Sequence, residues 1–403
     1  MHKNIHRITL ITTSQPSSNP RLVKEADALA EAGYKVLVLY CYHNTWASKL
    51  DQVSLLLKSW HYKLIGGTPN GPQRYLYQWT RFRRRLAEIF SCFTKGDNAR
   101  SLTRAYDELL QAAIQSKADL FIAHNPGALP IAAKAAMANN SCYAFDAEDF
   151  HTGELDSSHF KTLQIERQEQ LYLKNASYIS AASPLISHYY NNKYGISLVT
   201  INNVFPLSLQ PCFRTSNLAF KLRLFWFSQT IGRDRGIEDT LISLSNLYDI
   251  PIEIGLLGNI TNDLRSHFEN YIKSPLHNII FYAPRSENEL VKLCSEYDIG
   301  LALERSYPIN RDICLTNKIF IYLLAGNAII ASKTTAQEIF INEHSTGFLF
   351  SPGDTAQLSG IIKEYYKNPE LLNAQRAHNW NLAKTKLNWD NEKNILLNTI
   401  KNV

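Results

Sequence analysis

The chain has 403 residues, 45% hydrophobic and 19% charged, with a formal net charge of +6 at neutral pH. That length exceeds one ordinary core and suits two domains of roughly 150 to 200 residues, while the composition excludes a disordered chain. No window offers the roughly 20 apolar residues needed to span a bilayer, and the six scattered cysteines, without a Cys-x-x-Cys pair, point to reduced thiols rather than a disulfide framework.

The N-terminus, MHKNIHRITLITTS, runs straight into a strand pattern without the apolar core of a secretory leader, so a cytoplasmic protein is expected. His2 and His6 in this tail form no metal-ligand pattern, and no metal site is expected. Next come a strand at 7–13, the turn SQPSSNP, a helix from about Arg21 to Ala32, a stop at Gly33 and a second strand, KVLVLY. Helix after strand, with glycine just past the helix end, is the grammar of a parallel doubly wound sheet. Further strands are expected at 119–124, 142–148, 178–183 and 198–203.

Between these lies a basic stretch in which Arg81, Arg83, Arg84 and Arg85 interleave with Trp79, Phe82, Leu86, Ile89 and Phe90 at helical spacing. Two readings compete: a solvated helix whose apolar stripe joins the core, or a surface helix, residues 79–90, lying on an anionic membrane. Nucleic acid is not an expected partner, because no binding-module pattern accompanies the charge.

The segment FPLSLQPCFRTSN breaks the rhythm near 205–217 and reads as an interdomain linker. The grammar then restarts, with strands expected at 222–228, 252–258, 278–283, 299–304, 328–332 and 346–350, and a helix from about Asn317 to Ala325 ending at Gly326. The expected organisation is a first Rossmann-like domain over 1–205, a linker over 206–217, a second Rossmann-like domain over 218–385 and a terminal helix over 386–403. Two such α/β sheets would face a cleft, with ligands at the carboxyl ends of their strands.

The turn SQTIGRDRG lies at one such strand end, just before a helix starting near Ile237. Helix-start N–H groups carry partial positive charge and can receive a phosphate. Arg233 and Arg235 would add charge-assisted contacts, while Gly232 and Gly236 let the backbone come close. An ordinary exposed turn with solvated arginines is the competing reading.

Several segments, in order, resemble glycosyltransferase family 4, the retaining, nucleotide-sugar-dependent enzymes of GT-B fold. PRLVKEADALAEAGYKV resembles the family's first strand-to-helix turn, DLFIAHNPGALP its segment with a histidine at a strand end, and FDAEDF stands where many members have Asp-x-His-Glu. YISAASPLISHYYNNKYG with INNVFP resembles the close of the first domain, FSQTIGRDRGIED the donor-phosphate turn, and LTNKIFIYLLAGNAIIAS the donor-site helix. The resemblance implies a metal-independent hexosyltransferase in which the nucleotide sugar, with UDP or GDP, is a substrate and no cofactor is needed, and a terminal helix that crosses back to the first domain, the alternative being a plain C-terminal helix of the second. Arg235 and Arg233 would neutralise the departing diphosphate, with Ser228 and Gly232 in the same donor turn.

The chain departs from the commonest family pattern. The two glutamates expected eight positions apart fall, counting back from Gly326, on Ile321 and Ile313. Glu304, at a strand end, could reach a sugar or ribose hydroxyl instead, the alternative being a surface carboxylate paired with Arg305 or Arg311. Asp312 lies eight residues after Glu304 by coincidence. Lys318 could touch a phosphate, and Asn317 a donor hydroxyl or the helix's own N–H groups. In the first domain His124 would accept a hydrogen bond from a reacting hydroxyl or shield the developing cation. Asp146, Glu148 and Asp149 would orient the acceptor, and Asn19 and Arg21 would approach the acceptor or the diphosphate from the opposite wall.

The resulting expectation is sugar transfer from a nucleoside diphosphate to a lipid-linked or polysaccharide glycan acceptor in cell-envelope polysaccharide biosynthesis, with retention, on the inner face of the membrane. The isoleucines keep a second class open, a non-catalytic GT-B subunit that binds nucleotide or glycan and supports a partner transferase. A dinucleotide-dependent oxidoreductase is disfavoured, since no Gly-x-Gly-x-x-Gly follows a strand.

Overall fold

The computed structural model describes residues 5–93, 98–216 and 221–403; His2 and the linker and domain residues 217–220 lie outside that description. Backbone contacts divide the chain into two compact units, residues 1–202 with 393–403, and residues 203–392.

The first unit holds a seven-stranded sheet, built from β1 (Arg7–Thr12), β2 (Lys35–Cys41), β3 (His61–Ile65), β4 (Leu120–His124), β5 (Cys142–Ala147), β6 (Tyr178–Ala181) and β7 (Val199–Thr200). Its order is β3-β2-β1-β4-β5-β6-β7, and every pairing is parallel. The topological switch therefore falls between β1 and β4. Strands such as ITLIT and LFIAH are buried along their whole length, as expected where helices cover both faces of a parallel sheet.

The second unit repeats the plan with β8 (Leu222–Thr230), β9 (Ile252–Asn259), β10 (His277–Tyr282), β11 (Ile299–Ala302), β12 (Ala328–Ser332) and β13 (Gly347–Phe350). Their order is β10-β9-β8-β11-β12-β13, all parallel, with the switch between β8 and β11. The helix Asn317–Ala325 is buried from Lys318 to Ala325 and ends on left-handed Gly326, as its sequence indicates. It packs closely on β11 because Gly300 has no side chain; a Cβ there would stand 2.2 Å from the Tyr322 ring.

Several elements differ from expectation. β3 lacks an obvious sequence signal because it is an edge strand whose first three residues are exposed. β7 is only two residues long, and β8 continues to Thr230 through a register irregularity after Phe227. The segment expected as a linker is pinned to the helix Pro369–Thr385: Gln210 Nε2 donates to the Trp380 carbonyl at 2.9 Å, and Trp380 Nε1 to the Pro211 carbonyl at 2.9 Å. The last helix runs Trp389–Lys401, and its residues from Lys393 onward belong to the first unit. No helix among the described residues is long and apolar enough to cross a membrane.

Candidate functional site

Each unit carries a polar cluster at its switch point. In the first, the sheet register creates it: Thr12 pairs with His124, His124 with Asp146, and Asp146 with Ser180. Residues in register project to the same face of a parallel sheet. These four side chains therefore form a row across the carboxyl end, and all four are at most 1% exposed.

The helix Pro20–Glu31 covers that row. Asn19 caps it, accepting from Leu22 N–H at 3.0 Å, and Pro20 fills the first helical position, where its missing N–H costs nothing. Arg21 and Glu25, one turn apart, both point at the row. Arg21 donates to both oxygens of Asp146, at 2.6 and 2.8 Å, and to the Ile201 carbonyl at 2.6 Å. The Ser180 hydroxyl donates to the same carboxylate at 2.6 Å. His124 Nδ1 stands 2.9 Å from Glu148 Oε1 and 3.4 Å from Asp146, while its Nε2 lies 2.7 Å from Glu25 Oε2, close enough for ion pairing but outside hydrogen-bond geometry. Asn19 also donates to Glu148, at 2.5 Å.

Burial by itself would push the His124 imidazole down; the charges of Glu25 and Asp146 and the hydrogen bond of Glu148 outweigh it and raise the ring to about 10. Burial pushes the Asp146 carboxyl up, but Arg21, His124 and Ser180 together hold it below the usual range. Both ring nitrogens of His124 face carboxylates, Nδ1 Glu148 and Nε2 Glu25, a surrounding that favours the imidazolium form and leaves neither nitrogen open to a reacting hydroxyl. Asp149 has other neighbours: its carbonyl accepts from the Tyr190 hydroxyl at 3.5 Å, and its charge helps raise His151.

Glu25, His124 and Asp146 bring three potential metal-ligand atoms within 4.8 Å of one another. Ligation needs a neutral imidazole and free carboxylate lone pairs. Here Arg21 and Ser180 already donate to Asp146, and the carboxylates of the cluster are balanced by the Arg21 guanidinium beside the His124 ring.

The protonation of His124 sets a pH dependence. A histidine raised from about 6.5 to about 10 stabilises the fold fully below pH 6.5 and loses that contribution as pH climbs through 10. His151, raised to about 9 by its Glu154 partner against the opposing effect of burial, acts in the lower part of the same window. The melting temperature should fall between pH 7 and 10, and His124→Gln should flatten that fall; an equal slope in the variant would refute the assignment.

In the second unit, β8 ends at Thr230 and the helix Ile237–Ser243 begins after six intervening residues. The intervening turn needs left-handed backbone at Asp234 (φ 58°) and Gly236 (φ 77°). Gly236 also packs on Leu303, where a Cβ would come to 2.8 Å. The turn therefore lies beside the end of β11, next to Glu304. Arg233 is exposed and Arg235 half-buried, and neither has an ion-pair or hydrogen-bond partner among the described residues. Ser228 is half-buried in the irregular end of β8.

Glu304 is 9% exposed and accepts from Lys318 Nζ at 2.7 Å, so its partner is Lys318 rather than Arg305 or Arg311. Arg305 instead stands 3.5 Å from Asp239. Lys318 also lies over the Trp226 ring at 5.6 Å. Asn317 Oδ1 accepts from Asn203 at 2.8 Å, and Thr316 rather than Asn317 occupies the cap position. Asp312 is taken up by Thr335, accepting from its N–H and hydroxyl at 3.0 and 2.5 Å. Ile313 and Ile321 are buried, at 0% and 2% exposure, so both positions are packing positions in this chain.

The register brings together Arg21, His124, Asp146, Glu148 and Asn19, and in the other unit Glu304 and Lys318. Sequence reasoning missed Glu25 and Ser180. For Glu25 a signal was present, a carboxylate one helical turn after Arg21 and so on the same helix face.

No protein-family model and no curated protein matches the chain. Solved structures do. Anabaena HepE in complex with UDP and glucose superposes with a TM-score of 0.69 at 15% identity, covering 99% of this chain and 100% of that one. A glycosyltransferase from Rickettsia africae gives 0.69 at 12% identity with 99% of each chain covered, and sucrose-phosphate synthase from Thermosynechococcus elongatus 0.66 at 13% with 98% of each. These likenesses establish the fold: two parallel α/β sheets in the GT-B arrangement.

Proposed function

We propose that the protein is a GT-B glycosyltransferase that takes a sugar from a nucleoside diphosphate and passes it to a glycan or lipid-linked acceptor. The observation that carries this reading is the pair of unpartnered arginines on the β8 turn, at the switch point of the second sheet, where folds of this kind hold phosphates. Two guanidinium groups with nothing to neutralise are suited to a diphosphate. The binding of UDP and glucose by HepE agrees with this assignment.

In this reading Arg235 and Arg233 stabilise the negative charge that builds on the diphosphate as the sugar–phosphate bond breaks, a task otherwise given to a divalent ion. Gly232 and Ser228 line the same turn, and Glu304, held by Lys318, fixes a donor hydroxyl. Asn317 stands at the start of the same helix as Lys318. The first unit orients the acceptor through Glu148, whose side chain stays 23% exposed while the rest of its cluster is buried. His124, Asp146, Arg21 and Asn19 act behind it as positioning residues. The acceptor oxygen bonds to the anomeric carbon on the face from which the diphosphate departs, and its proton passes to the departing phosphate, so the sugar configuration is retained without a covalent intermediate.

The purified chain should hydrolyse or transfer from a nucleotide sugar, and nucleoside diphosphates should raise its melting temperature. A chain stabilised by nucleotide yet inactive on every donor would reveal a binding subunit instead. The Glu304–Lys318 pair gives a second test. Lys318→Met leaves a buried carboxylate unpaired and should destabilise the chain by about 3–5 kcal/mol, whereas adding Glu304→Gln should restore stability but not activity. Restored activity would remove Glu304 from the donor site.

A further inference from the structure

The helix Arg74–Phe93 presents an apolar face that stays largely exposed among the described residues. Tyr75, Trp79, Phe82, Leu86, Ile89 and Phe90 are 74%, 55%, 52%, 37%, 56% and 61% exposed. Their spacing places them in one stripe roughly 100° wide. The helix packs on its domain through the opposite side, where Thr80, Ala87 and Ser91 are buried. The expectation that the apolar stripe joins the core is thereby overturned: small residues face inward and the large ones outward.

Charge is sorted around this stripe. Arg83 turns back to Asp107 and Glu108 behind the helix, and Arg84 pairs with Glu88 one turn along the helix itself, so these two arginines are already matched by carboxylates. Arg74, Arg81 and Arg85, spaced seven and four residues apart, lie along one border of the stripe. Arg85 has no partner among the described residues, Arg81 rests only over the Tyr77 ring at 5.7 Å, and Arg74 meets only Tyr75. No carboxylate stands in the stripe itself.

We propose that this helix docks on an anionic bilayer, its aromatic face at the boundary of headgroups and acyl chains and its arginine border on lipid phosphates. Charge complementarity favours a membrane over a second copy, because the same face on a partner would bring further cations and no carboxylate. The proposal is independent of nucleotide binding.

Flotation with phosphatidylcholine vesicles, and with vesicles of equimolar phosphatidylcholine and phosphatidylglycerol, tests it. The wild-type chain should float only with the anionic vesicles. Arg81→Glu/Arg85→Glu should weaken partitioning by about tenfold or more, and Trp79→Ser/Phe82→Ser should abolish it, both with unchanged melting temperatures because these side chains are exposed. Absence of wild-type flotation, or equal flotation of either double variant, overturns the proposal. So does a concentration-dependent dimer in sedimentation velocity that Trp79→Ser/Phe82→Ser dissociates, which would give the face to self-association.

Discussion

Replacing Arg233 and Arg235 together by alanine should cost about 10²–10⁴-fold in kcat/KM for sugar transfer while leaving the melting temperature almost unchanged. The two halves of this result have separate causes. Hydrogen bonds to charged groups contribute about 1.5–3 kcal/mol each, so losing two such donors to a departing diphosphate removes about 3–6 kcal/mol of transition-state stabilisation. Stability is spared because neither side chain has a partner among the described residues, and surface changes away from structural contacts usually fall within about 0.5 kcal/mol. Lysine at either position should recover part of the loss, since it restores charge without the planar fork. Steady-state kinetics with melting curves on the same preparations decide the matter. Activity within a factor of about ten of wild type would mean that the arginines are solvated surface groups.

Arg21→Met should destabilise the chain by about 3–5 kcal/mol, as much as Lys318→Met, or roughly 6–20 °C in melting temperature. The substitution keeps volume but leaves Asp146, 1% exposed, facing Glu25 and Glu148 with only the His124 imidazolium to balance them. Arg21→Lys should recover only part, because an ammonium cannot grip both Asp146 oxygens and the Ile201 carbonyl at once. If the variant is too unstable to purify, Ser180→Ala, which removes one donor from the same carboxylate, should show a smaller loss in the same direction. An Arg21→Met chain as stable as wild type would mean that the buried network does not hold this end of the sheet together.

Most of the fold is legible in the sequence because parallel strands covered on both faces are continuous apolar runs, and because glycines mark helix ends at Gly33 and Gly326. β3 escapes that logic, since an edge strand with its first three residues exposed carries no such run. The site is legible in its members and illegible in its pairings. Asn19 and Arg21 stand out at a helix start and His124, Asp146 and Glu148 at strand ends, but Arg21 meets Asp146 across 125 residues only because β1, β4 and β5 are neighbours in the sheet. The charge state of His124 follows from those pairings and is invisible to a one-dimensional reading. Helical spacing likewise reveals the stripe of the helix Arg74–Phe93, yet spacing alone does not say which side meets the protein. That choice depends on the neighbouring carboxylates, Asp107 and Glu108, which draw Arg83 inward.

The central claim is that the turn from Ile231 to Gly236 grips the diphosphate of the donor. A crystal structure of the chain soaked with UDP or GDP tests it most directly. The claim requires the phosphate oxygens within about 3 Å of the Arg235 guanidinium and of backbone N–H groups in that turn. A nucleotide bound elsewhere in the chain, with Arg233 and Arg235 still in solvent, would contradict it.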